Sequence, residues 1–157
     1  MATTGTTGST TARRTIGNAA RGLTAASVLL SAVVHLELWA QGMSTVPIIG
    51  PAFLANAVGG LVIGVALLVW DHPIPLLAAI AFGLATLGAY VLSITVGLFG
   101  VQEQPGGVAA TLAAVSEVTA VVFAIVALLA ERGLRGATAA ATASPARTLT
   151  PPRPARP

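Results

Sequence analysis

Residues 51–70 read PAFLANAVGGLVIGVALLVW, and residues 71–75, DHPIP, follow at once. The first stretch carries no formal charge and has the length, about 20 residues, that a helix needs to cross roughly 30 Å of hydrocarbon. The second holds an acid, a histidine and two prolines, and proline cannot continue a helix interior. An apolar run ended by a short polar break is therefore the unit of this chain. The runs extend well beyond this first example, since residues 38–70 and 73–102 contain no Asp, Glu, Lys or Arg.

The same bias holds across all 157 residues, of which 55% are hydrophobic and 8% charged, with a mean hydropathy of +0.86. Soluble domains carry about 25% charged residues, so this composition excludes a soluble globular enzyme. The absence of cysteine excludes a disulfide scaffold and a thiolate metal site. Lipid cannot satisfy backbone polar groups, so only helices and closed barrels cross it. A barrel would alternate polar and apolar residues in segments of about ten, whereas these segments are longer and continuously apolar. The expected fold is an all-α membrane protein: a four-helix transmembrane bundle with disordered N- and C-terminal tails.

Spans are expected over 21–40, 51–70, 75–99 and 108–130, within a bundle covering 21–131. Residues 41–50 and 100–107, the latter with Glu103 and Pro105, form the two loops at one end, and 71–75 forms the turn at the other. Tails over 1–20, with seven threonines, and 132–157, rich in Ala, Pro and Arg, lack an apolar face and are read as disordered. The first span is too long for a signal-peptide core, and Leu38-Trp39-Ala40 is a poor cleavage site, so it is read as retained. There is no lysine, and all eight arginines lie outside the apolar runs, in 13–21 and 132–156. Positive charge collects on the cytoplasmic side, which places both termini in the cytoplasm and the protein in the cytoplasmic (plasma) membrane. Nothing resembles a basic readout surface for nucleic acid. The tail arginines are topology signals or contacts for anionic lipid heads.

Polar residues inside the spans are the candidates for function, because an ionisable group at a helix centre costs about 2.5–3.5 kcal/mol on insertion scales. They are His35, Glu37 and Glu117, with Asn56 and Tyr90 as neutral companions. At 1.5 Å per residue, His35, Asn56 and Ser93 lie about 8–9 Å below the outer surface, Glu37 about 5 Å, and Tyr90 and Glu117 about 13–14 Å. All four spans thus place a polar group in the outer half. Small residues that allow helices to approach fall on the same stripes: Ser27-Ser31-His35, Asn56-Gly60-Gly64, Gly83-Thr86-Tyr90-Ser93 and Ala113-Glu117-Ala120-Ala124. Glu117 is read either as a proton carrier or cation ligand, or as a structural hydrogen-bonding group that pairs with His35. Glu37, about 200° around the helix from His35, is expected to reach the outer interface. Asn56 and Tyr90 are expected to be interhelical hydrogen-bonding groups before ligands.

Sharper motifs fail on count. A bis-histidine haem needs two facing histidines, but His72 belongs to the opposite membrane face from His35. His35, Glu37 and Glu117 make a poor zinc set, and there is no phosphate-binding Gly loop, HExxH or Ser-His-Asp order. No cofactor or metal is expected. The segments VHLELW (34–39), PIIGPAFLANAVGG (47–60) and SITVGLFG (93–100) resemble a family of small four-span integral membrane proteins from high-GC Gram-positive bacteria. The resemblance covers about 22–130. It implies the four-span fold, rests on His35, Ile49-Gly50-Pro51 and Glu117, and carries no activity with it.

Three functions are compatible with these residues. The leading one is a non-enzymatic accessory or assembly component, partnered by the lipid bilayer and by a second copy or another membrane protein. The alternative is a proton- or cation-coupled carrier of a small solute that uses Glu117 and His35. A quinone-linked redox component has few ligands to support it.

Overall fold

The computed structural model describes residues 5–100, 102 and 106–143. Four helices follow in order: α1 (Gly5–Ala40), α2 (Ile49–Val69), α3 (Pro73–Thr95) and α4 (Val108–Ala143), with a 3₁₀ turn at Met43–Thr45 between the first two. Each is long and apolar enough to cross a membrane. The 21 residues of α2 correspond to about 32 Å at 1.5 Å per residue. This is the expected four-helix bundle. One end carries the loop 41–48 and the described residues between α3 and α4, 96–100, 102, 106 and 107. The other carries the α2–α3 turn and the outer parts of α1 and α4.

The helices meet where their side chains are small. α1 packs most extensively against α4 and α2, α3 packs against α4, and α2 and α3 touch more sparsely. A Cβ at Gly60 would stand 3.0 Å from the Ala32 Cβ, and one at Gly83 would stand 3.1 Å from the Glu117 carbonyl oxygen. Glycine at these positions allows backbone to lie against backbone, as membrane interfaces require. The resulting core is made of Ala25, Val28, Leu67, Leu76, Ala79, Ala120, Ala124 and Ala127. Large apolar side chains such as Val62, Leu68, Val69 and Leu129 are instead well exposed. In a protein whose solvent is hydrocarbon, that outward apolar face is the lipid surface.

Helix ends differ from the sequence reading in three places. α3 begins at Pro73 rather than residue 75, because a proline in the first helical turn lacks only an N–H that would have had no partner. His72 caps this end through its Nδ1, which accepts from the Ile74 amide at 3.3 Å. α3 stops at Thr95 rather than residue 99. Gly97 turns left-handed (φ 83°), and the Val96 and Gly97 amides both close back on the Leu92 carbonyl. The apolar residues beyond it, Leu98 and Phe99, belong to the loop. The start of α2 at Ile49 follows the unusual Ile48 (φ 68°), and the 3₁₀ turn lies against Gly50.

The largest difference concerns the tails. Helix covers 5–20 and 132–143, which were expected to be disordered, while 1–4, 144–157, and Glu103 and Pro105 of the second loop lie outside the described residues. The extensions hold each other. Gly17 faces Ala130 closely, the Arg13 side chain lies over Gly133, and Ala20 is buried. Alanine and arginine are also good helix formers, a tendency that the lack of an apolar face obscured.

Below the extensions a cluster of charges joins three segments. The Arg21 guanidinium donates to Glu131 Oε1 at 2.9 and 3.3 Å, and to the carbonyls of Trp70 (3.1 Å) and His72 (2.8 Å). Asp71 stands 3.8 Å away, and Arg135 approaches the other Glu131 oxygen at 3.8 Å. Those carbonyls lie at the α2–α3 break, where a carbonyl oxygen has a second lone pair for a side-chain donor. Arg21, expected only to mark a membrane face, thus ties α1 to α4 and to the turn.

Candidate functional site

Between the four helices, at the end opposite Arg21, lies a chamber of about 440 Å³. Each helix contributes a polar group to its wall: His35 from α1, Asn56 from α2, Thr86, Tyr90 and Ser93 from α3, and Glu117 from α4. Four of the five candidate residues, His35, Asn56, Tyr90 and Glu117, are therefore brought together, at the common depth that their positions along the spans implied. Glu37 is not among them. It is exposed and accepts from the Gln41 amide at 2.9 Å, as the 200° offset from His35 dictates.

The floor of the chamber is a chain of hydrogen bonds built on α1. Ser31 and His35 are four residues apart and so share one helix face. The His35 Nδ1 is 2.8 Å from the Ser31 carbonyl. A carbonyl can only accept, so Nδ1 carries the proton. The Ser31 hydroxyl, 3.3 Å from the same nitrogen, donates across the bundle to Glu117 Oε1 at 3.1 Å. His35 Nε2 is left 3.9 Å from that oxygen, beyond hydrogen-bond length. Glu117 is only 2% exposed and Ser31 is fully buried. Phe53 of α2 stands beside the imidazole, with ring centroids 5.3 Å apart.

Serine, histidine and glutamate in contact invite comparison with a catalytic triad, and the wiring differs. In a triad the histidine sits between the other two and takes the serine proton. Here serine sits between histidine and glutamate, and the ring nitrogen beside it already bears a proton. Ser31 is also absent from the chamber wall, so no substrate carbonyl could approach its oxygen. The sequence reading placed Ser31 on the right stripe without giving it this bridging part. The serine four residues before His35 was the available signal.

The upper wall is different in kind. Among the described residues, Asn56, Tyr90 and Ser93 have no side-chain hydrogen-bond partner, although Ser93 is only 7% exposed. The expectation that Asn56 and Tyr90 join helices is thus not met. They line a common space instead, and small residues among its walls, Ala52, Ala89, Ala109, Ala110 and Ala113, leave it open. Phe99 and Leu98, carried past the end of α3 by the turn at Gly97, complete the wall with Met43 and Ile49. Among the described residues no fully buried side-chain nitrogen or oxygen lacks a partner, so the free polar atoms of these three groups keep some exposure.

Two further expectations can be placed. His72 caps α3 at the far end of the bundle and cannot meet His35. No group of three or more His, Cys, Asp or Glu side chains among the described residues could hold a metal ion. No family model matches the chain, and no curated protein or solved structure matches it either.

Proposed function

We propose that this four-helix membrane protein is a non-enzymatic accessory or assembly component that holds a small ligand in the chamber. One observation carries the reading. Asn56, Tyr90 and Ser93 line a space of about 440 Å³ without hydrogen-bond partners among the described residues. Polar groups kept unpaired inside an apolar bundle cost stability, and that volume lies in the range of small-molecule sites. The arginines at the opposite end support a cytoplasmic location for both termini in a plasma membrane, with the chamber in the outer half. Membership of the small four-span family of high-GC Gram-positive bacteria belongs to the same proposal.

Native mass spectrometry of the full chain, extracted gently from its membrane, tests the reading. The wild type is expected to retain a small molecule, and Ala113→Phe, which fills the chamber, is expected to lose it. Equal masses of bound material on both would contradict it. A second reading, a proton- or cation-coupled carrier, is favoured by the Ser31–His35–Glu117 chain, which leads from the chamber into the bundle. Transit would have to pass Val28, Leu67, Leu76, Ala79 and Ala124, each no more than 2% exposed, so the accessory role comes first. Carriage predicts that Glu117→Gln abolishes pH-gradient-driven flux in liposomes and leaves folded yield intact.

A further inference from the structure

The chemistry of the chamber narrows its ligand, given the reading of it as a binding site. Charge comes first. Glu117 is an acid in an otherwise apolar region, and the chain has no lysine. Arg21 is committed to Glu131 and two carbonyls at the other end of the bundle. His35 stands near, but at 3.9 Å, with its Nδ1 proton held by the Ser31 carbonyl. No arginine or lysine side chain faces the carboxyl from any of the four helices, so an anionic ligand would meet the acid with nothing to hold it. A cation would supply the missing partner.

Hydrogen bonding comes second. The Asn56 amide oxygen and the Tyr90 and Ser93 hydroxyls can all accept, and among the described residues none of them does so from a side chain or backbone donor. An ammonium group offers up to three donors and needs no acceptor of its own. A bare calcium or magnesium ion fits poorly, since each seeks six or more oxygen ligands and most of the wall is apolar. Shape comes third. Phe53, Tyr90 and Phe99 line the space, and aromatic faces attract cations within about 6 Å. The small apolar residues between them leave room for a hydrocarbon body.

We propose that the chamber binds an amphiphilic ammonium compound, its nitrogen seated against Glu117 and its apolar body among Phe53, Tyr90 and Phe99. The probes are 2-phenylethylamine, protonated at pH 7, and 2-phenylethanol, which keeps the size and one hydrogen-bonding head but not the charge. Each is titrated calorimetrically into the full chain in detergent micelles, with protein-free micelles as the blank. The amine is expected to bind at least about tenfold more tightly than the alcohol. Glu117→Gln should reduce that ratio to about threefold or less. Should that variant not fold, Phe99→Leu, on an exposed loop residue, is expected to weaken both probes several-fold and alike, since they share the apolar body, and an unchanged affinity for both would overturn that placement. Equal binding of both probes to the wild type would overturn the ammonium assignment and leave the chamber as a neutral-ligand site. Binding of neither up to millimolar concentration would overturn both.

Discussion

The two ends of this bundle use polar groups in opposite ways. At the Arg21 end, charges are matched: one guanidinium satisfies a carboxylate and two helix-terminal carbonyls, and the core beside it is closed by alanine, valine and leucine. At the chamber end, Ser31, His35 and Glu117 are linked, but Asn56, Tyr90 and Ser93 face a space. Interactions that hold helices together leave little room, and interactions left unused hold nothing together. The first end therefore accounts for stability, and the second is where the proposed ligand site lies.

That contrast predicts a graded series of unfolding free energies, measured in mixed detergent. Gly83→Val should cost the most, about 3 kcal/mol from overpacking, since its Cβ would meet Val121 at 2.8 Å and the Glu117 backbone. Arg21→Met should follow at about 2 kcal/mol, because it takes from Glu131 its closest cation and from two carbonyls a charged donor. Ser31→Ala, which removes the bridge to Glu117, should cost about 1 kcal/mol. Asn56→Leu and Ser93→Ala should lose nothing and gain up to about 1 kcal/mol, since each removes a polar group that has no partner. A large loss from either of the last two would break the comparison by showing that the chamber wall also supports the fold.

Which parts of this were legible in the sequence follows from the same physics. Spans were legible because hydrocarbon penalises every unpaired polar group, so uncharged runs of 20 or more residues have few alternatives. His35 and Glu117 stood out for the same reason, and the stripe spacing put them on facing sides. Helix ends were harder. Leu98 and Phe99 look like span residues, and only the left-handed turn at Gly97 removes them from α3. The helical extensions at 5–20 and 132–143 were missed because their stability comes from Gly17 against Ala130 and Arg13 over Gly133, contacts between distant parts of the chain. Arg21 was read as a topology marker, since nothing local reveals that the turn at Trp70–His72 turns two carbonyls toward it. The chamber itself is made by the smallness of alanines on three helices, which becomes visible only once their mutual register is known.

Ser27 and Ser93 provide the most direct test of the difference between the ends. Both are serines, 9% and 7% exposed. Ser93 lines the chamber and Ser27 does not. The chain contains no cysteine, so each can be replaced in turn without background, and the variants Ser27→Cys and Ser93→Cys can be treated in folded form with a small charged thiosulfonate. The account predicts that Ser93→Cys is modified to completion while Ser27→Cys stays unmodified until the protein is denatured. Equal protection of the two, or faster modification at Ser27→Cys, would contradict it.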